Sequence, residues 1–180
     1  DGQLFLDGVD VNQLPLNSLR RDVAMVPQEG FLFTSTLADN LRYGEPEAES
    51  QSVEQAAERA RLLDDVKGFP EGFSTIVGER GITLSGGQRQ RTALGRALMV
   101  SAPVLVLDDA LASVDNNTAA AILDSIRTTD GRTIVMISHQ LSAAAACDRI
   151  LVMEQGRIVQ QGHHSDLIST PGVYRRLWER

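Results

Sequence analysis

Four consecutive apolar residues, Val104-Leu105-Val106-Leu107, stop abruptly at two carboxylates, Asp108-Asp109. A run this short and this apolar, ended by charge, suits a strand buried on both faces. Val23-Ala24-Met25-Val26, halted by Pro27, has the same character, as do Thr133 to Ile137 and Ile150 to Met153. The segments between these runs read as helical, which predicts a parallel sheet covered on both faces by helices, an α/β fold. A carboxylate pair at the end of a buried strand is rarely structural alone, because burying an unpaired charge is costly.

The rest of the chain fills in around that sheet. Gln3-Leu4-Phe5-Leu6 alternates like a strand, and Asp7-Gly8 is a hairpin-type turn into Val9-Asp10-Val11. From Thr36 to Val66 the character is helical, with Glu- and Ala-rich stretches such as Ser52 to Leu63, and this reads as a helical subdomain inserted between two sheet strands. A helix is expected from Gly86 to about Met99, where Ala93, Leu94, Ala97 and Leu98 make one apolar face. Another is expected from Asn116 to Ile126, then two strands within Arg149 to Gln161 around Gln155-Gly156, and a closing helix from Val173 to Trp178.

Bulk properties narrow the class. With 180 residues, 42% hydrophobic and 23% charged, the chain is sized for one globular domain with a real core. A net charge of -7 argues against a nucleic-acid surface, which needs clustered Lys and Arg. The single cysteine, Cys147, cannot close an internal disulfide, and no apolar run approaches the ~20 residues needed to span a bilayer. The chain starts at Asp1 and enters a strand almost at once, as expected of a piece cut from a longer polypeptide; a membrane-spanning part, if one exists, lies elsewhere.

Several short motifs carry chemistry. Ser85-Gly86-Gly87 opens the helix expected at Gly86 and offers a hydroxyl, close backbone approach and free N–H groups backed by the helix dipole. Taken alone it fits an anion site or an ordinary Ser N-cap followed by flexible glycines. Gln28 follows the Val26-Pro27 strand end, and His139 follows the strand that closes at Ile137-Ser138. The pair His163-His164 lacks the further ligands that a metal site needs. Phe31-Leu32-Phe33 fits a packed core or an apolar groove that receives a partner helix.

Leu84-Ser85-Gly86-Gly87-Gln88-Arg89-Gln90-Arg91, followed by the Val104–Asp109 strand, resembles the signature and Walker B of ATP-binding cassette (ABC) ATPases. Gln28 matches the position of the family's Q-loop, Ser113-Val114-Asp115 its D-loop and His139 its switch histidine. Thr75 to Gly81, Phe31 to Leu41 and the Gly162-His163-His164 turn resemble segments of exporter-type members. The resemblance covers essentially the whole chain. It implies a P-loop NTPase (RecA-like) fold, a mostly parallel sheet flanked by helices with an inserted α-helical subdomain. The expected division is 1-33 for the first strands and Q-loop, 34-99 for the helical subdomain with the signature, 100-163 for the Walker B, D-loop and switch histidine, and 164-180 for the last helices.

The resemblance further implies an ATP-binding and ATP-hydrolysing unit that powers export across a membrane, with ATP and Mg²⁺ as ligands. Its partners would be a second nucleotide-binding domain and a transmembrane domain, with no nucleic acid, at the cytoplasmic face of the plasma (inner) membrane. Asp108 and Gln28 would hold Mg²⁺, and Asp109, His139 and Gln28 would act on the attacking water and the γ-phosphate. Ser85, Gly86, Gly87 and Gln88 would meet the nucleotide bound by the other domain of a dimer, and Asp115, also expected to bind nucleotide, would lie in the D-loop that crosses the dimer interface. A soluble cassette ATPase of DNA repair or translation, or a non-hydrolysing regulatory domain, shares several of these motifs.

Three departures stand out. The family's usual catalytic acid is glutamate, and here it is Asp109. One methylene fewer withdraws the carboxylate by ~1.5 Å. The D-loop reads Ala110-Leu111-Ala112-Ser113-Val114-Asp115 where the common form is Ala-Thr-Ser-Ala-Leu-Asp, so two polar positions are lost or moved. No Gly-x-x-x-x-Gly-Lys-Ser/Thr loop occurs, and the sole lysine is Lys67. Truncation upstream of Gln3 accounts for the missing loop, and these 180 residues alone are expected to bind ATP weakly or not at all. Asp109 with an intact signature resembles the weakened-acid subunit of heterodimeric exporters.

Overall fold

The computed structural model describes residues 3–78 and 83–179. Its centre is a three-stranded parallel sheet of β3 (Val23–Val26), β6 (Val104–Asp108) and β7 (Thr133–Ile137), with β6 in the middle. The register pairs Val26 with Leu107 and Asp108 with Ile137, so the three strands end level with one another. Leu105 and Leu107 are fully buried, as expected of the central strand.

The sheet is covered on one face only among the described residues. Alternate side chains enter the core at Ala24, Val26, Leu105 and Leu107, packed against Leu94, Leu98, Ile122 and Ile126 of two long helices, α5 (Gly86–Met99) and α6 (Asn116–Asp130). The opposite set is open, with Met25 54%, Val135 48% and Ile137 52% exposed. The expectation was a sheet covered on both faces; a period of two sends half of each apolar run to the second face, which is exposed among the described residues.

One correction concerns Ile150 to Met153. This run forms β8 (Ile150–Glu154), which pairs antiparallel with β9 (Arg157–Gly162) rather than joining the parallel sheet. Gln155 and Gly156 both have positive φ, the geometry of a tight hairpin whose twist suits antiparallel strands. Asp7-Gly8 turns β1 (Phe5–Leu6) into β2 (Val9–Asp10) in the same way. Ile150 and Val152 of the hairpin pack on Leu167 and Tyr174 of the closing helices α8 (His164–Ser169) and α9 (Val173–Trp178).

Between β3 and β6 the chain builds α2 (Leu37–Arg42), α3 (Ser50–Arg59) and α4 (Leu63–Gly68), followed by α5. Leu32, Leu37, Leu41, Val53, Leu62, Val66 and Leu84 form a second cluster, apart from the sheet core. One short antiparallel pair, β4 (Ser35–Thr36) with β5 (Ile76–Val77), closes it. Helix α5 belongs to both clusters through Ala93, Leu94, Ala97 and Leu98 on one side and Met99 on the other, so it is the mechanical link between them. Helix α6 runs four residues beyond the expected Ile126, because Gly131 supplies the left-handed C-terminal cap that stops it.

Candidate functional site

Level strand ends bring distant residues to one edge. Gln28 lies two residues beyond β3, Asp108 is the last residue of β6, and His139 lies two residues beyond β7. In open α/β sheets this carboxyl edge is where ligands bind. Gln28 and His139 are exposed and Asp108 is half-buried, so all three reach solvent on this rim.

Asp109 begins the turn away from the sheet with φ +47, and its N–H donates to the Ile137 carbonyl at 2.8 Å. The Asp109 carbonyl in turn accepts from the N–H of Ala112 at 3.1 Å. Both backbone groups of Asp109 are therefore committed to the scaffold, and its side chain is half-buried. A carboxylate pair on such a rim has the donor set of a hard divalent cation with bound water. Asp108 brings a carboxylate and Gln28 an amide oxygen to this rim, the donor types that Mg²⁺ takes, and such an ion would offset phosphate charge.

The signature is built as a helix start. Ser85 is the N-cap of α5; its Oγ accepts from the Gln88 N–H at 3.2 Å, and Gln88 Oε1 accepts from the Ser85 N–H at 2.9 Å. This reciprocal capping box fixes the entry of the chain into α5. The Gly86 and Gly87 N–H groups lie in the first turn, where no intrahelical acceptor exists, so they remain free donors at the positive end of the dipole. The arrangement can bind an oxyanion.

Two glycines are required by close approach. A Cβ on Gly87 would lie 2.9 Å from the Ser113 carbonyl oxygen, and one on Gly30 would lie 2.7 Å from Ala93 Cβ. The first contact presses the signature onto the D-loop, and the second presses the segment after Gln28 onto α5. Gln90 strengthens the first, its Oε1 accepting from the Ser113 N–H at 2.8 Å. The outcome is a cleft of about 510 Å³ whose walls include Gln28, Gly30, Gly86, Arg89 and Ser113. Gly87→Ala forces a backbone shift, since a carbonyl oxygen cannot rotate aside as a side chain can. For the ATPase activity that the resemblance implies, the expected result is a rate about tenfold lower, as a ~1 Å displacement of a binding element can cost up to ~10²-fold. Thermal melting should move little, because Ala favours helix over Gly by up to about 1 kcal/mol.

Asp115 sits apart from the carboxylate rim. It is the N-cap of α6, accepting from the Thr118 N–H at 3.0 Å, and that bonding, with a further contribution from the Thr118 hydroxyl, holds its carboxyl below the usual aspartate value. Phe31, Leu32 and Phe33 divide between the two expectations: Leu32 is fully buried, Phe31 is 55% exposed, and Phe33 is half-buried. His164 Nδ1 pairs with Tyr174 Oη at 2.8 Å and its ring lies against Trp178, a packing role. No cluster of three or more His, Cys, Asp or Glu poised for a metal exists among the described residues. Of the exporter-like segment at Thr75 to Gly81, Glu79, Arg80 and Gly81 lie outside the described residues.

Residues that the sequence did not single out also shape the site. Asp65 of α4 reaches Gln88 and Arg91, and Arg96 of α5 reaches the backbone of Phe31 and Asn40. Both are charged residues on helices that carry other charges as well, a local signal too common to select them without the fold.

Comparisons with known proteins agree with this geometry. The family model for ABC transporters matches residues 1–112. Over 99% of its length the chain is 42% identical to the heterocyst differentiation ATP-binding protein HepA of Nostoc sp., covering 29% of that protein. It is 42% identical over 98% of its length to the ATP-dependent lipid A-core flippase of Chromohalobacter salexigens, and covers 31% of it. It is 41% identical to the Bacillus subtilis probable multidrug resistance ABC transporter ATP-binding/permease protein YheI, with 100% of the chain and 31% of the relative aligned. A structure of a bacterial Atm1-family ABC exporter with ATP bound superposes with a TM-score of 0.96 at 39% identity, covering 100% of the chain and 32% of its own. The chain thus spans just under a third of these relatives. With the signature capping a helix beside the D-loop, and the acidic strand end set in a P-loop NTPase sheet, the chain belongs to the ABC transporter family as an exporter-type nucleotide-binding domain.

Proposed function

We propose that this domain powers the movement of a substrate across a membrane, from its cytoplasmic face, as one half of an ATP-dependent pair of nucleotide-binding domains attached to a transmembrane part. In this reading Asp108 and Gln28 hold Mg²⁺, Asp109 and Gln28 address the attacking water, and His139 meets the γ-phosphate, all for the chain's own nucleotide. Ser85, Gly86, Gly87 and Gln88 offer their donors to the nucleotide held by the partner domain, and Asp115 stands at the D-loop between the two.

The observation that carries the reading is the pairing of a fully formed signature cap with a shortened catalytic acid. The donors of Ser85–Gln88 are preorganised. Asp109, by contrast, reaches ~1.5 Å less far than glutamate does. Such a chain suits a heterodimer in which its signature completes a competent partner site while its own site turns over slowly. A misplacement of ~1 Å at a reacting group costs on the order of 10²-fold, roughly 2.7 kcal/mol of barrier.

The test is asymmetric inactivation of the full-length protein with its partner, in membrane vesicles. Ser85→Ala should lower ATP hydrolysis and ATP-dependent transport at least tenfold, while nucleotide stays trapped at the Asp109 site. Hydrolysis at the wild-type rate, or a parent protein without membrane-spanning segments, contradicts the reading.

A further inference from the structure

We propose that Asp65 is a positioning residue for the signature, setting the orientation of the Gln88 side chain and tying it to α4. The proposal rests on the reading above, in which Ser85–Gln88 meets the partner's nucleotide.

The geometry is a two-sided clamp. Asp65 Oδ1 accepts from Gln88 Nε2 at 2.9 Å, and Asp65 Oδ2 pairs with Arg91 Nη2 at 3.0 Å. Gln88 and Arg91 are three apart on α5, so they share one helix face and meet the same carboxylate. Arg91 is occupied elsewhere too: its Nη1 donates to the Arg61 carbonyl at 2.7 Å and its Nε to the Gly87 carbonyl at 3.3 Å. Asp65 and Arg91 side chains are only 21% and 18% exposed, so water screens the pair weakly.

An aspartate carboxylate only accepts, whereas a glutamine amide has one accepting and one donating end. Asp65 therefore dictates that Nε2 faces α4, which leaves Gln88 Oε1 for the Ser85 N–H, the bond that completes the capping box. Turned the other way, the amide would set an oxygen against the carboxylate and an NH₂ against the Ser85 N–H, a mismatch at both ends. Asp65 thus acts on the nucleotide-facing turn without touching nucleotide. The neighbouring cleft of about 610 Å³ is lined in part by Asp65, Arg91 and Thr118.

The experiment measures steady-state ATPase kinetics of the full-length protein with its partner. Asp65→Asn keeps the side-chain shape but removes the charge and one acceptor; Asp65→Ala removes the clamp. Both should raise the KM for ATP about tenfold with kcat within twofold, and Asp65→Glu should bring KM back to within threefold of wild type. Ser85→Ala is measured alongside. If Ser85→Ala lowers activity while Asp65→Asn retains the wild-type KM, the positioning role is overturned and the reading of the signature stands. If Ser85→Ala also leaves hydrolysis unchanged, that reading fails and takes the proposal with it. Should Asp65→Ala not fold, Asp65→Asn decides; a fall in melting temperature and kcat with KM unmoved marks a merely structural residue and refutes the proposal.

Discussion

Asp109→Glu in the full-length protein should raise hydrolysis at the site holding this chain's own nucleotide on the order of 10²-fold. The gain comes from one methylene, which carries the carboxylate ~1.5 Å outward. Against it stands the backbone: Asp109 has φ +47, a left-handed conformation that aspartate tolerates better than glutamate. A several-fold conformational preference is worth about 1 kcal/mol or less. The barrier change of roughly 2.7 kcal/mol is larger, so catalysis wins over strain. Single-turnover hydrolysis, with the partner's own catalytic acid replaced by glutamine, isolates this site. An unchanged rate would mean that carboxylate reach does not limit it.

Arg96→Ala should loosen the join between α5 and the segment from Phe31 to Tyr43. The guanidinium is partly buried, which lowers its pKa, and its described acceptors are neutral oxygens. Nε donates to the Asn40 carbonyl at 2.8 Å, Nη1 to the Phe31 carbonyl at 2.8 Å, and Nη2 to Asn40 Oδ1 at 3.0 Å. The Phe33 and Tyr43 rings, stacked at 4.4 Å, each lie 5.4 Å from the charge. Asn40, only 1% exposed, carries the network onward by donating to the Phe33 and Thr36 carbonyls.

Removing the arginine leaves the Phe31 and Asn40 carbonyls without this donor, and hydrogen bonds to a charged group are worth about 1.5–3 kcal/mol each before compensation. A net local loss of about 3 kcal/mol corresponds to roughly 10²-fold faster amide exchange across residues 31–43, readable by hydrogen exchange. Arg96→Lys should fall between, because an ammonium cannot reproduce the fork. Exchange at wild-type rates in Arg96→Ala would show that the apolar contacts of Leu32, Leu37 and Leu41 suffice.

The same network bears on coupling. In an exporter-type domain the exposed Phe31 lies between Gln28 and the second hydrophobic cluster, and Arg96 ties its backbone to the helix that begins at the signature. Restricting Arg96→Ala damage to transport, with hydrolysis retained, is the outcome this connectivity favours.

What the sequence determined by itself was local. The runs at Val23, Val104 and Thr133 are strands because β-branched and aliphatic residues pack well on pleated surfaces, and the observed β3, β6 and β7 bear this out. Ser85 before two glycines and an apolar-periodic stretch marked the start of α5, which spans Gly86–Met99 as expected. Motif order also identified the family, since five short patterns in register carry information that no single one does.

Only the tertiary structure decided what depends on chain reversal. The run at Ile150 is as apolar as the sheet strands, yet the positive-φ pair Gln155-Gly156 folds it onto its own neighbour as a hairpin. Among the described residues one face of the parallel sheet is exposed, because burial of a face depends on which elements cover it and not on the strand's own composition. Asp65 meets Gln88 across 23 residues and Arg96 meets Phe31 across 65, contacts without local periodicity to announce them. Hydrophobic patterning is read within a turn or two of chain. The orientation of a glutamine amide, and the helix that holds it, are set by whatever the fold brings alongside.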